Sequence, residues 1–196
     1  MDNDRPSTVI FMDAENIFLS LHLANRDHRL NVFSLVYWLQ DKFGPFQMYV
    51  YGHFASGKGL TKGIPPFIRR ILDNFPNIFV FETYIDDIEA PAPEEADSAI
   101  IMAMSMKAIG LEANNSTYKH VIIMSGDGSL FGQAIKAKSL GMKVTIVAAS
   151  PENINGLYAQ AGFDIVFLSD PAEKQKFLSP KANIPADFNF PSLPRG

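Results

Sequence analysis

Apolar residues in this chain fall into short continuous blocks, separated by stretches in which they recur every three or four positions. TVIFMD (8–13), FQMYVYGHF (46–54), NIFVFETY (77–84), KHVIIMS (119–125), MKVTIVA (142–148) and DIVFL (164–168) read as strands buried on both faces. Between them, AENIFLSLHLA (14–24), VFSLVYWLQDKF (32–43), IPPFIRRILDNF (64–75), a long segment over about 95–112, and segments near 130–140 and 154–161 read as helices. The prolines that open 64–75 suit a first helical turn, where the missing N–H is not needed. Strands alternating with helices predict an α/β fold, a Rossmann-like parallel sheet with helices on both faces and right-handed crossovers. The alternation ends at Asp170. Beyond it, Pro171, Pro180, Pro185, Pro191 and Pro194 punctuate a polar stretch. The expected organisation is therefore one domain over 1–170 and a proline-containing C-terminal tail over 171–196, disordered or lying along the surface.

Composition narrows the classes. At 196 residues the chain suits one domain, and 47% hydrophobic against 19% charged residues can fill a two-sided core. The formal net charge of −4 excludes a global basic field, so nucleic acid would have to be met by a local patch or through metal ions on acidic residues. With no cysteine there is no disulfide, no thiolate zinc site and no cysteine nucleophile. MDNDRPST has no signal-peptide pattern, and the longest apolar run, AIIMAMSM (99–106), falls short of the roughly 20 residues a membrane span needs. A soluble, cytoplasmic protein without membrane association is expected.

The chemistry concentrates around VIIMSGDGSLFGQAIK (121–136), a strand that empties into Gly126, Gly128 and Gly132. A dinucleotide-binding turn would follow the first strand, would have an acidic residue about 20 positions on, and would not place Asp127 against a pyrophosphate; all three conditions fail here. The mismatches weigh against the nucleotide reading and favour two others: a tight turn with Asp127 or Ser129 capping the next helix, or a strand end built to present a carboxylate. Ligands of open parallel sheets bind beyond the carboxyl ends of the strands. Asp13 ends the first predicted strand and Asp127 follows the fourth, so both belong to one rim. Asn16, one turn into the first helix, can turn back towards that rim. Asp97, early in the long helix, shares a face with Ile101, Met104 and Ala108, which directs it towards the sheet; the alternative is a partner for the helix dipole. Clustered carboxylates persist at neutral pH when they hold a cation or keep protons. Oxygen-only donors select Mg²⁺ or Mn²⁺, and one or two such ions can activate water for an in-line displacement at a phosphodiester.

At these residues the sequence resembles the NYN domain family of the PIN-like nuclease superfamily. The resemblance rests on VIFMDAEN with its D-x-x-N, EEADSAIIMAM with an Asp opening a mid-chain helix, and VIIMSGDGSLFGQAIKAKSLGMKVTIVA with its S-G-D and A-x-x-x-G-x-x-V rhythm, and it covers about residues 8–168. It implies a PIN-like sheet and a metal-dependent endoribonuclease, with Asp13, Asp97 and Asp127 as metal-binding acids and Asn16 as a polar active-site residue. Departures from the family pattern are Ser129 where many members carry a second Asp, Gly162 where an acidic residue is common, and Glu94 and Glu95 where a basic or amide residue often precedes the helix Asp. Ser125 and Ser129 are candidate substrate contacts, as are His53, Lys58 and Lys62 in the loop HFASGKGLTKG, with Arg69 and Arg70 following; an ordinary solvated loop is the competing reading. Phe54 is placed either to stack on a base or to join the core, and Trp38 to pack. The expected partner is RNA, single-stranded or structured, with homo-oligomerisation left open. Alternatives are a catalytically weakened NYN-fold module that binds RNA or protein, and an unrelated phosphohydrolase or nucleotide enzyme. Asp13-Ala14-Glu15 breaks the D-x-D that a haloacid-dehalogenase phosphatase requires.

Overall fold

The computed structural model describes residues 6–25, 28–53, 64–83, 93–109 and 118–180. Strands β1 (Thr8–Asp13), β3 (Phe46–Gly52), β4 (Ile78–Glu82), β5 (His120–Met124), β6 (Lys143–Ala148) and β7 (Asp164–Phe167) form one sheet in the order β4-β3-β1-β5-β6-β7, and every pairing is parallel. Numbered among themselves these six run 3-2-1-4-5-6, the doubly wound order of Rossmann-like folds. The chain leaves β1 in one direction to build β3 and β4, and later returns to the other side of β1 to build β5, β6 and β7. The sheet thus reverses its winding between β1 and β5, and ligands of such folds bind beyond the strand ends at that reversal.

The sheet separates two cores, and its central strands feed both. Ile10 and Met12 of β1 pack with α1 (Ala14–Ala24), α2 (Val32–Phe43) and α3 (Pro66–Leu72). Val9 and Phe11 face the opposite way, towards α4 (Pro93–Met104), its π-helical continuation (Ser105–Ile109), α5 (Phe131–Ser139) and α6 (Gly156–Gln160). Two-sided burial explains why these strands read as unbroken apolar runs and not as alternating ones. Local signals stop and start the helices. Asn31 accepts from Ser34 N to cap α2, and Gly44 (φ 75°) ends that helix in a left-handed conformation costly for other residues. Among the described residues no helix is long and apolar enough to cross a membrane.

The polar stretch after Asp170 departs from expectation. Its first ten residues form α7 (Pro171–Lys174) and β8 (Leu178–Pro180), and β8 pairs antiparallel with β2 (His28–Leu30), a short strand the hydrophobic pattern does not reveal. Phe177 is buried in the α1–α2 core, 5.4 Å from the Trp38 ring. Glu173 accepts from the Trp38 indole N–H at 2.6 Å and pairs with Lys42 and Lys176. A short segment with one large apolar residue carries too little periodicity to be recognised, yet one buried Phe and one carboxylate clamp dock it. Residues 181–196 lie outside the described residues.

Candidate functional site

Asp13 closes β1 and begins α1. Its carboxylate accepts from Asn16 N at 2.9 Å, which satisfies one free donor of the first helical turn. Strand alternation sends its side chain to the same face as Val9 and Phe11, beneath α4. Among the described residues no cationic side chain acts on it there. Burial is the main cause that pushes its carboxyl up to about 7, opposed by the hydrogen bond from Asn16 and reinforced by the negative charge of Asp97. The Asp97 carboxyl is also raised, by burial first, then lowered by a hydrogen bond from Ser129 and raised by Asp127. Asp97 Oδ2 accepts from Ser129 Oγ at 2.7 Å, while Oδ1 is buried without a donor. The three acids singled out in the sequence thus occupy one rim and act electrostatically on one another in a chain, Asp13 to Asp97 to Asp127.

Asn16 has a structural task there. Its Oδ1 accepts from Gly126 N at 3.1 Å, tying the start of α1 to the turn after β5 across the winding reversal. Ser125 is fully buried, and its Oγ accepts from Asp127 N at 3.2 Å, so it shapes the turn from beneath. Asp127 is exposed, and its carboxylate accepts from Ser129 N at 2.8 Å, capping the 3₁₀ turn Gly128–Leu130. Asp127 thus caps the 3₁₀ turn that leads into α5, while α5 itself, which starts after Leu130, has no side-chain cap.

Gly126 and Gly128 are explained by a segment that the sequence does not connect to the site, whereas a Cβ on Gly132 would meet open space. A Cβ on Gly126 would lie 1.6 Å from Asn153 O, and one on Gly128 would lie 2.3 Å from Asn155 Nδ2. Asn155 N donates to Gly126 O at 2.8 Å, and Tyr158 Oη donates to Asp127 O at 2.6 Å. The β6–α6 connection thus lies directly on the S-G-D-G turn, which has neither an open phosphate cradle nor slack. Asn155 signals itself as the N-cap of α6, accepting from Leu157 N; its second contact is invisible in sequence because Gly128 is far away along the chain.

On the β3 side, His53 follows the strand, with Nδ1 3.3 Å from Thr83 O and Nε2 buried without a partner. Glu15, not singled out in the sequence, lies beside it. Burial raises the Glu15 carboxyl, and both the charge and the backbone N–H of His53 lower it. Arg69 pairs with Glu82 and with Asp73. Lys58, Lys62 and Phe54 lie outside the described residues. Trp38 is buried and packs as expected.

No family model matches the sequence, and no curated protein does. Among solved structures, a Vibrio parahaemolyticus protein of unknown function is similar with a TM-score of 0.64 at 18% identity, over 91% of this chain and 100% of that one. A Leishmania major protein named provisionally as a Mar1 ribonuclease aligns with a TM-score of 0.36 at 9% identity, over 87% of this chain and 88% of that one. The first likeness, with the strand order, shows the fold: an α/β protein with a six-stranded parallel sheet in Rossmann-like order.

Proposed function

We propose that this protein is a metal-dependent endoribonuclease of the NYN type, hydrolysing RNA phosphodiester bonds at the rim formed by Asp13, Asp97 and Asp127. The observation that carries the reading is the uncompensated pair at the winding reversal. Asp13 and Asp97 both have carboxyls raised by burial, and one oxygen of Asp97 is buried with no donor. Burying such groups is costly without a counter-charge. The donors are hard oxygens, which fits Mg²⁺ or Mn²⁺.

Among the described residues no three acidic or histidine side chains approach closely enough to hold a metal as a set. Asp13 and Asp97 would hold the ion, with water completing the shell as Mg²⁺ prefers. Asp127 would act from outside that shell. A bound ion would supply an activated water and neutralise charge developing on the phosphate. Hydrolysis forms a bond from water oxygen to phosphorus and breaks a bridging P–O bond, and the leaving oxygen takes up a proton. Asn16 acts as a positioning residue that fixes the turn bearing Asp127. His53, whose Nε2 is buried without a partner, would have to turn outward to contact a phosphate or orient the leaving group.

One observation favours a second reading, an RNA-binding module with weakened chemistry. Ser129 engages Asp97 through its hydroxyl and Asp127 through its N–H, so both acids already have partners within the chain. The test is cleavage of a mixed-sequence RNA with Mg²⁺, with Mn²⁺ and with chelator. The nuclease reading expects metal-dependent cleavage that falls at least about 100-fold in Asp13→Asn and Asp97→Asn, as loss of a ligand entails. Binding without cleavage under any metal selects the second reading, and cleavage unaffected by either substitution removes the acidic rim from the chemistry.

A further inference from the structure

The α4 face of the sheet carries a second feature beside the acids. Register places Phe11, Tyr49 and Phe79 level across β1, β3 and β4, and one step nearer the rim it places Asp13, Tyr51 and Phe81 level. The rings stack nearly parallel: Phe11 on Tyr49 at 5.5 Å and 17°, Tyr49 on Phe79 at 5.5 Å and 22°, Tyr51 on Phe81 at 5.0 Å and 13°. The inner rings are buried, but Phe79 and Phe81 are 40% and 42% exposed at the outer edge of the sheet. Each column therefore ends outward in an aromatic ring open to solvent, and the rim-side row ends inward at Asp13.

The charge around the columns is also specific. Lys107, exposed on the π-helical turn, holds its Nζ 4.9 Å from the centre of the Tyr49 ring. The one acid of β4, Glu82, alternates to the other face and is paired with Arg69. An edge strand normally carries charge or proline to discourage contacts. Here the two most exposed positions of β4 are phenylalanines.

We propose that Phe79 and Phe81 form a ledge on which bases of single-stranded RNA stack, feeding the strand towards Asp13 and Asp97; this rests on the RNA reading above. A flat ring closes an open aromatic column, a base is such a ring, and Lys107 sets a cation beside the column for the backbone that follows. Strands lie about 4.8 Å apart, so Phe81 is two strands, roughly 10 Å, from Asp13. A base on Phe81 then belongs to a nucleotide close to the one at the acids. Stacking tolerates any base, so the ledge selects single strands over duplexes and not one sequence over another.

The test is fluorescence anisotropy of a labelled 12-nucleotide single-stranded RNA in chelator, so that cleavage does not intervene. Phe81→Leu and Phe79→Leu should each weaken binding roughly tenfold. Phe81→Tyr should restore it, and Leu140→Ser, which removes an exposed apolar side chain elsewhere, should leave it unchanged. A 4-thiouridine version of the RNA should photocrosslink to the peptide bearing residues 79–81 in the parent protein, a readout that needs no folded variant. If the parent binds RNA but the leucine variants bind equally and no crosslink forms at β4, the ledge is wrong and the RNA reading stands. If the parent neither binds nor cleaves RNA, both fall. A parent that sediments as a dimer and becomes monomeric in Phe81→Leu would make this edge a self-association surface and overturn the ledge.

Discussion

Asp13 combines a strand end, a helix cap and a buried carboxyl, and these roles make opposite demands on its charge. The cap favours the carboxylate and burial favours the acid, and burial prevails, holding the group at about 7 against an ordinary 3.8. The folded protein therefore binds this proton more tightly than the unfolded chain. The site costs no stability below the unfolded value, and stability is lost as pH rises through about 7. Asp13→Asn keeps a competent cap and removes the charge. Its melting temperature in chelator should exceed the parent's by roughly 5 °C at pH 8, with the gap closing towards pH 4; equal melting at pH 8 would mean the carboxyl is not strained. Gly126 and Gly128 differ in what blocks them. Gly126 faces backbone, Asn153 O, whereas Gly128 faces the amide tip of Asn155, which can swing aside. Gly126→Ala should destabilise by about 1–3 kcal/mol, and Gly128→Ala by less, in urea melts. At this scale the placement of Asp13, Asn16, Asp97 and Asp127 at one rim was legible, because strand ends and helix faces can be counted along the chain. The meaning of the glycines was not, since it depends on Asn153 and Asn155, which reach the turn only through tertiary packing. Glu15 was missed for a similar reason: its partner His53 lies at the end of another strand.

The sheet strands and the longer helices were legible because burial on two faces writes itself as continuous apolar runs, and amphipathic helices as a period near 3.6. Ala14–Ala24 and Val32–Phe43 have the boundaries that pattern predicted. Short elements without a period were not legible: β2, β8 and α7; the π-helical turn that carries Lys107 lies within the predicted long helix, and only its wider winding was not foreseen. The docking of α7 and β8 rests on Glu173. Hydrogen bonding from Lys42 is the main cause that lowers its carboxyl to about 2, with further help from Trp38 and Lys176. A lowered acid stabilises fully above the unfolded value of 4.5, and that contribution is lost as pH falls towards 2. Glu173→Gln should therefore melt lower than the parent at pH 7, by an amount typical of a charge-assisted hydrogen bond, about 1–3 kcal/mol, and the difference should shrink steadily below pH 4.5. A difference independent of pH would assign the loss to packing alone.

For the whole molecule, fold class could be read from alternation, but strand order could not, because pairing across β1 joins segments more than a hundred residues apart. That order is what makes the acids neighbours, since it puts β1 and β5 side by side with the winding reversal between their ends. It also sets Asp13 in line with Tyr51 and Phe81, so the acidic rim and the aromatic edge follow from a single register. The clamp on Glu173 has a practical consequence. Trp38 is the chain's one tryptophan, and its indole N–H is bound to the segment that returns after the sheet is complete. Release of that segment would expose the indole to water and shift its emission to the red while the circular dichroism of the sheet stayed unchanged. The protein thus carries its own optical gauge, in which local opening at residues 171–180 and global unfolding can be told apart in one unlabelled sample.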